Sequence, residues 1–131
     1  MSKTAGAISL FNIEKMNFMK IDRLSPLPMK REVFAWSHHS RVPAQAGCYV
    51  LTNFSGEVLY VGQATVSIRD RMGSHLDSDE KRAVGTLGAA YWFYYLLRDD
   101  KEVGFVERGW INQSILETGS RPPLNKIDSP V

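Results

Sequence analysis

Five side chains in this sequence have types and spacings that suit work on a phosphate. Two are phenols, Tyr49 and Tyr60, in short apolar runs on either side of Thr52-Asn53-Phe54-Ser55-Gly56-Glu57-Val58. Ser-Gly between strand-like runs is turn punctuation, so the stretch reads as a β-hairpin. With Ser55-Gly56 as a two-residue loop, Phe54 pairs with Glu57, Tyr49 falls opposite Gly62 and Tyr60 opposite Leu51. The two phenols are then diagonal neighbours on one face, roughly 7–8 Å apart. Gly62 beside them lets another backbone or a ligand approach closely.

The next two, Arg71 and His75, lie four residues apart in a stretch whose apolar Ile68, Met72 and Leu76 recur at helical spacing. They therefore stack one turn apart on the face beside that stripe. Arginine meets phosphate with a planar fork of donors, and histidine can move a proton near neutral pH. A solvated Arg/His pair has the same pattern. The fifth is Glu107. It shares a four-residue repeat with Val103, Ile111 and Ile115. A lone acid in an inward stripe is costly unless it is paired or binds a cation. A glutamate at the stripe's edge, or one neutralised by Arg71, would satisfy the same constraint.

The elements that must position these groups are legible in outline. Residues 1–24 carry a weak helical pattern through Ile8, Phe11, Phe18 and Met19, which Ser25-Pro26-Leu27-Pro28 must break. An extended piece is expected around Val33-Phe34-Ala35-Trp36. His38 and His39 follow, and adjacent histidines cannot both point into one site from a regular element. After the hairpin, the spacing predicts a helix from Val66 to about Leu76 and a short one opened by Ser78-Asp79-Glu80-Lys81. Tyr91-Trp92-Phe93-Tyr94-Tyr95-Leu96-Leu97 is aromatic and continuous, the pattern of a central strand covered on both sides. Its rings read as core, with a base-stacking platform as the other option. A second helix is predicted from about Glu102 to Glu117, stopped by Gly119.

At 131 residues, 44% hydrophobic and 23% charged, the chain has the composition of one globular domain. Its single cysteine, Cys48, excludes an internal disulfide framework and reads as a small core residue. The first twenty residues hold no continuous apolar run, and no stretch approaches the roughly 20 apolar residues of a membrane span. A soluble, cytoplasmic protein is expected. The net charge of +2 is split: residues 1–46 hold seven Lys/Arg against three acids, and residues 47–131 hold nine against eleven. A basic arm of +4 beside a body of −2 suits contact with a polyanion, and also describes a merely solvated segment. The expected organisation is an arm over residues 1–42 and a domain over residues 43–131.

Gly47-Cys48-Tyr49 followed by Tyr60-Val61-Gly62 resembles the paired motif of the GIY-YIG nuclease superfamily. Cys48 replaces an apolar residue and Val61 an isoleucine. The resemblance covers residues 43–126. In that family a helix after the second strand carries an arginine, often with a histidine one turn later. Here Arg71 lies eleven residues beyond Tyr60 and His75 one turn further, with Arg69 as a rival. A glutamate from the helix after the third strand matches Glu107, with Glu117 as a substitute. Pro123-Leu124-Asn125 resembles the closing Pro-x-Asn element, and the interval from Glu107 to Asn125 implies a long helix or an added loop.

The resemblance implies an α/β (α+β) fold, a small central three-stranded antiparallel sheet flanked by helices in the order β-β-α-(α)-β-α. It implies phosphodiester hydrolysis by water in nucleic acid, DNA in preference to RNA. Glu107 would be the single protein ligand of Mg²⁺ or Mn²⁺, and Arg71 would grip a phosphate oxygen. Tyr49 would be the candidate general base, with Tyr60 orienting water or phosphate and His75 relaying the proton. Asn125 would brace the hairpin. A double-strand cut would need a homodimer or two sequential nicks. The alternative is a non-catalytic nucleic-acid-binding module that keeps the scaffold.

Overall fold

The computed structural model describes residues 18–85 and 87–125. Its centre is a four-stranded antiparallel sheet. The strands are β1 (Lys30–Val33), β2 (Gly47–Thr52), β3 (Val58–Ala64) and β4 (Trp92–Leu97), in spatial order β1-β4-β2-β3. Among the described residues four α-helices accompany them: α1 (Trp36–His39), α2 (Ile68–Leu76), α3 (Asp79–Arg82) and α4 (Val103–Thr118). No helix among the described residues is long and apolar enough to cross a membrane.

The fold is thus mixed α+β, but with four strands rather than three. The added strand comes from the segment expected to be an arm. It precedes most of the extended piece read at residues 33–36. Lys30, Arg31 and Glu32 give it no apolar alternation, so nothing in its pattern announces a strand. It is held by its ladder to β4, in which Lys30 faces Tyr95 and Val33 faces Trp92. Its charges suit a sheet edge, where they oppose pairing with another chain. Residues 18–24 are not helical as expected: Lys20 bridges to Glu57, and Ile21–Arg23 form a 3₁₀ turn. The rest of that expected helix, residues 1–17, lies outside the described residues.

β2 is buried along its whole length because both faces are covered. Tyr49 and Leu51 pack with Phe93, Ile68 and Met72 under α2. Cys48 and Val50 face the other way, against Val103, Trp110 and Ile111 of α4. Ser67 caps α2 by accepting the Asp70 N–H at 3.1 Å, and Gly119 ends α4 in the left-handed region at φ 89°. Along α4 the four-residue repeat drifts by about 40° per step at 3.6 residues per turn. Val103, Glu107 and Ile111 therefore stay inward, and Ile115 turns out to 38% exposure. Trp110 and Ser114 fill the face it leaves. The Trp110 indole N–H donates to the Pro26 carbonyl at 2.9 Å, and the Gln113 amide clamps the Ser25 backbone, lashing the preceding segment to α4.

α4 contacts β2 and β3. On the neighbouring β4 the Arg31 guanidinium stacks 3.6 Å over the Trp92 ring and donates to the Tyr94 hydroxyl at 2.9 Å. The aromatic strand is therefore half core. Phe93 and Tyr95 are buried, while Trp92 and Tyr94 are half-buried.

The hairpin register holds, but by a different route from the two-residue loop. Asn53 pairs with Glu57 through its N–H, leaving Phe54, Ser55 and Gly56 in the loop with Gly56 at φ 89°. A bulge between Leu51 and Thr52 absorbs the extra residue. Tyr49 consequently still faces Gly62, and Leu51 still faces Tyr60. The room at Gly62 is taken by the Tyr49 phenol itself, not by a ligand. A Cβ there would fall on that ring, 2.5 Å from its Cζ and Oη. Gly62→Ala is expected to destabilise the fold by about 1–3 kcal/mol through overpacking. Equilibrium urea unfolding measures this, and an unchanged midpoint would mean the ring moves aside freely.

Candidate active site

The residues singled out in the sequence gather around β3, one of the two edge strands of the sheet. Strand alternation sends Tyr60 to the α2 side and Val61 and Gln63 to the α4 side. α2 therefore brings Arg71 and His75 to one side of the edge, and α4 brings Glu107 to the other. An open cleft of about 1370 Å³ wraps this edge, lined among others by Tyr60, Gln63, Arg71, Glu107 and Asn125. Tyr49 and His75 are buried behind its wall.

Behind the wall the Tyr49 hydroxyl and His75 Nε2 are 2.8 Å apart, and the Arg71 Nε–H approaches the same hydroxyl at 3.5 Å. Burial pushes the Tyr49 phenol well above its ordinary value, against the opposing pull of Arg71. Burial, with help from the Lys81 and Arg71 charges, holds His75 down at about 4. At neutral pH both groups are uncharged. With Arg71 donating to the phenol oxygen, the Tyr49 O–H is left to donate to His75 Nε2. The imidazole is a poor proton sink here: charging it at pH 7 costs about 4 kcal/mol, at 1.36 kcal/mol per pKa unit. What this group does well is hold one proton in place and aim Arg71.

Tyr60 is half-buried and faces the cleft. Its ring lies edge-on to Tyr49 at 6.3 Å and to His75 at 5.0 Å. Burial raises its phenol; Arg71 opposes the shift and Glu107 adds to it. Glu107 itself is only 8% exposed, and Gln63 Nε2 donates to its Oε1 at 3.0 Å. Asn125 reaches β3 from outside. Its Oδ1 accepts the Val61 N–H and its Nδ2 donates to the Val61 carbonyl, each at 2.9 Å. With the Leu124 N–H bonded to the Leu59 carbonyl at 2.8 Å, this segment closes part of the open edge.

The rivals point elsewhere. Arg69 donates to the Val42 and Ser40 carbonyls at 2.6 and 3.3 Å, tying α2 to the loop after α1. Glu117 pairs with Arg23 at 3.0 Å on the exposed end of α4. His38 meets Glu32 at 3.3 Å, and His39 meets the Arg69 carbonyl at 2.8 Å. Cys48 is a core thiol that burial, then Glu107, pushes up to about 12.

Two cleft residues escaped the sequence reading. Gln63 was legible in principle, since strand parity sets it on the α4 face as a polar residue beside Val61. Lys81 was not. Ser78 caps α3 by accepting the Lys81 N–H at 3.3 Å, and the Lys81 Nζ rests 4.6 Å above the Tyr60 ring centroid.

No cluster of three or more His, Cys, Asp or Glu side chains suited to a metal occurs among the described residues. The donors at Glu107 are one carboxylate and the neighbouring Gln63 amide, all hard oxygen once that amide turns. Such a set fits Mg²⁺ or Mn²⁺, which bind through one or two carboxylates and keep most of their waters. It does not suit zinc, which takes nitrogen and sulfur donors. A comparison of the chain with protein-family models found no match, and neither did a comparison with curated proteins.

The depressed His75 has a consequence for stability. In the unfolded chain it ionises near 6.5, and in the fold near 4. Between those values the unfolded chain binds the proton and the native one does not. His75 thus leaves stability unchanged above about pH 6.5 and lowers it as the pH falls toward 4, by up to about 3 kcal/mol. Urea unfolding from pH 7.5 to 4 should show this fall. His75→Gln, which can still accept from Tyr49, should flatten it; an identical fall in the variant would assign the acid sensitivity to other groups.

Proposed function

We propose that this chain is a divalent-metal-dependent endonuclease of the GIY-YIG type, hydrolysing phosphodiester bonds in nucleic acid, DNA in preference to RNA. The observation that carries the reading is the convergence of Arg71, Tyr60 and Glu107 from opposite sides of the sheet on one open cleft around β3. A GIY-YIG fold, with β1 added at its far edge, and a cytoplasmic location go with it.

Glu107 would hold Mg²⁺ or Mn²⁺, and that ion when bound supplies positive charge against the scissile phosphate and the leaving oxygen. Arg71 grips a non-bridging phosphate oxygen and meets the charge that grows in the transition state. Tyr49 and His75 fix the Arg71 guanidinium from behind. Tyr60, the phenol that reaches the cleft, orients the attacking water. Gln63 steadies the Glu107 carboxylate, and Asn125 keeps β3 from fraying beneath Tyr60. One cleft cuts one strand, so a double-strand cut takes two copies or two successive nicks.

Supercoiled plasmid incubated with the protein in Mg²⁺, in Mn²⁺ and in EDTA tests the reading. Nicking should require the metal and vanish in Glu107→Ala. Arg71→Ala should lower the rate about 10²- to 10³-fold, as loss of a donor to the developing charge does. Salt-sensitive binding without cutting of plasmid, single strands or RNA would replace the nuclease with a binding module. Nicking that survives in Glu107→Ala would remove Glu107 as the ligand.

A further inference from the structure

Resting on the nuclease reading, we infer that Lys81 is a second phosphate-binding residue of the cleft, set over the Tyr60 ring and contacting the substrate backbone beside the scissile position.

Lys81 and Arg71 come from different helices, yet both line the cleft and each approaches one of two neighbouring phenols. Lys81 lies over the Tyr60 ring at 4.6 Å, while Arg71 reaches the Tyr49 hydroxyl beside it. The Lys81 side chain is only 13% exposed, which is unusual for a lysine. A charge held that far from water needs a counter-charge. The ion pair that the structure gives it is with its neighbour Glu80, at 3.6 Å. Glu80 is itself 42% exposed. Pairs with so exposed a partner contribute little and exchange readily.

A phosphate entering the cleft offers more. Its oxygens carry full charge and accept several hydrogen bonds, and the lysine ammonium has three donors to give. The Tyr60 face holds the ammonium in place while leaving those donors free, since an aromatic ring attracts a cation without consuming its N–H groups. Glu80 is then a built-in stand-in for the substrate anion, displaced outward when a strand binds. Two cations lining the same cleft as Tyr60 also suit its role of orienting water, because they would hold adjacent phosphates in a fixed relation to the phenol. The lowering of His75 by Lys81 and by Arg71 together is consistent with both cations lying close to this one group.

The test is the salt dependence of binding to a fluorescent duplex oligonucleotide. It is made in EDTA on the full chain carrying Glu107→Gln, which cannot hold the metal or cut. Each phosphate contact contributes a slope of about −0.9 in log K against log salt. Adding Lys81→Met should weaken binding at every sequence and reduce the magnitude of the slope by about 0.9. Lys81→Arg should retain the slope, and Glu80→Gln should tighten binding several-fold. In the otherwise natural chain, Lys81→Met should slow metal-dependent nicking at least tenfold. A Lys81→Met slope equal to that of its parent, or Glu80→Gln without effect, would overturn the inference while leaving the nuclease reading intact. A parent that binds no duplex at any salt, with no nicking by the natural chain, would overturn both. A merely structural Lys81 would shift the urea midpoint and leave the slope alone, so the ion pair between Lys81 and Glu80 is separable from a phosphate contact even if Lys81→Met is less stable.

Discussion

The position of the Tyr49 ring against Gly62 is the constraint from which the candidate site follows. A side chain period of two means that a one-residue slip between β2 and β3 would throw every residue of one strand to the other face. The three-residue loop would cause that slip by itself, and the bulge between Leu51 and Thr52 cancels it. Tyr60 consequently lands on the same face as Tyr49. Only a glycine at 62 leaves room for the phenol, because any Cβ there would meet the ring. The hydroxyl of that ring then reaches both His75 and Arg71. One side chain thus ties the central strand, the edge strand and α2 into a single arrangement.

The edge position of β3 explains how groups of opposite kind meet. Residues on the two faces of a central strand are separated by the sheet itself. At an edge, a cleft can wrap around and reach both. Tyr60 and Arg71 enter from the α2 side, Gln63 and Glu107 from the α4 side. An open edge is also a liability, since its backbone groups invite pairing with another chain. Asn125 answers this with both ends of its amide on Val61, covering the edge where the site needs it rigid. Glu107 is tolerated on an otherwise apolar helix face because it sits where that face gives way to the cleft.

Features encoded in local pattern were legible in the sequence, and features created by packing were not. The helix expected from Val66 to about Leu76 and the Gly119 stop rest on periodicity and capping chemistry, which act over a few residues. The Tyr49–Gly62 pairing is expected from a loop one residue too short, and it holds because the bulge between Leu51 and Thr52 restores the register. β1 was missed because Lys30, Arg31 and Glu32 become a strand only by pairing with β4. Ile115 was misplaced because a four-residue repeat is not the period of a helix, and the error grows with each turn. Strand parity could have found Gln63. Lys81 could not be found, since its place over Tyr60 depends on how α3 folds back after α2. The separation of the two phenols, one behind the wall and one facing the cleft, is likewise a matter of tertiary burial. Asn125 is the instructive intermediate: the proline turn beside it was legible, and its grip on Val61 requires the long α4 that returns the chain to β3.

The charges of the cleft bear on what a cation would do there under the proposed reading. Its lining holds five basic residues, Arg71, Lys81, Arg98, Lys101 and Arg108, and five acids, Asp70, Glu80, Asp100, Glu102 and Glu107. The formal sum is zero. What it has is separation: Arg71 lies beside the phenols, while Glu107 lies across β3 from them. A phosphate placed against Arg71 also faces the Glu107 carboxylate, and that repulsion is strongest where water is excluded. A divalent cation on Glu107 reverses the sign at that one point and turns a balanced cleft into a positive one. Under the proposed nuclease reading, such an ion would contribute to holding the strand as well as to cutting it. The same logic gives the Glu80–Lys81 pair its sense. An exposed acid can swing away when a phosphate arrives, whereas Glu107, at 8% exposure, has little freedom to do so.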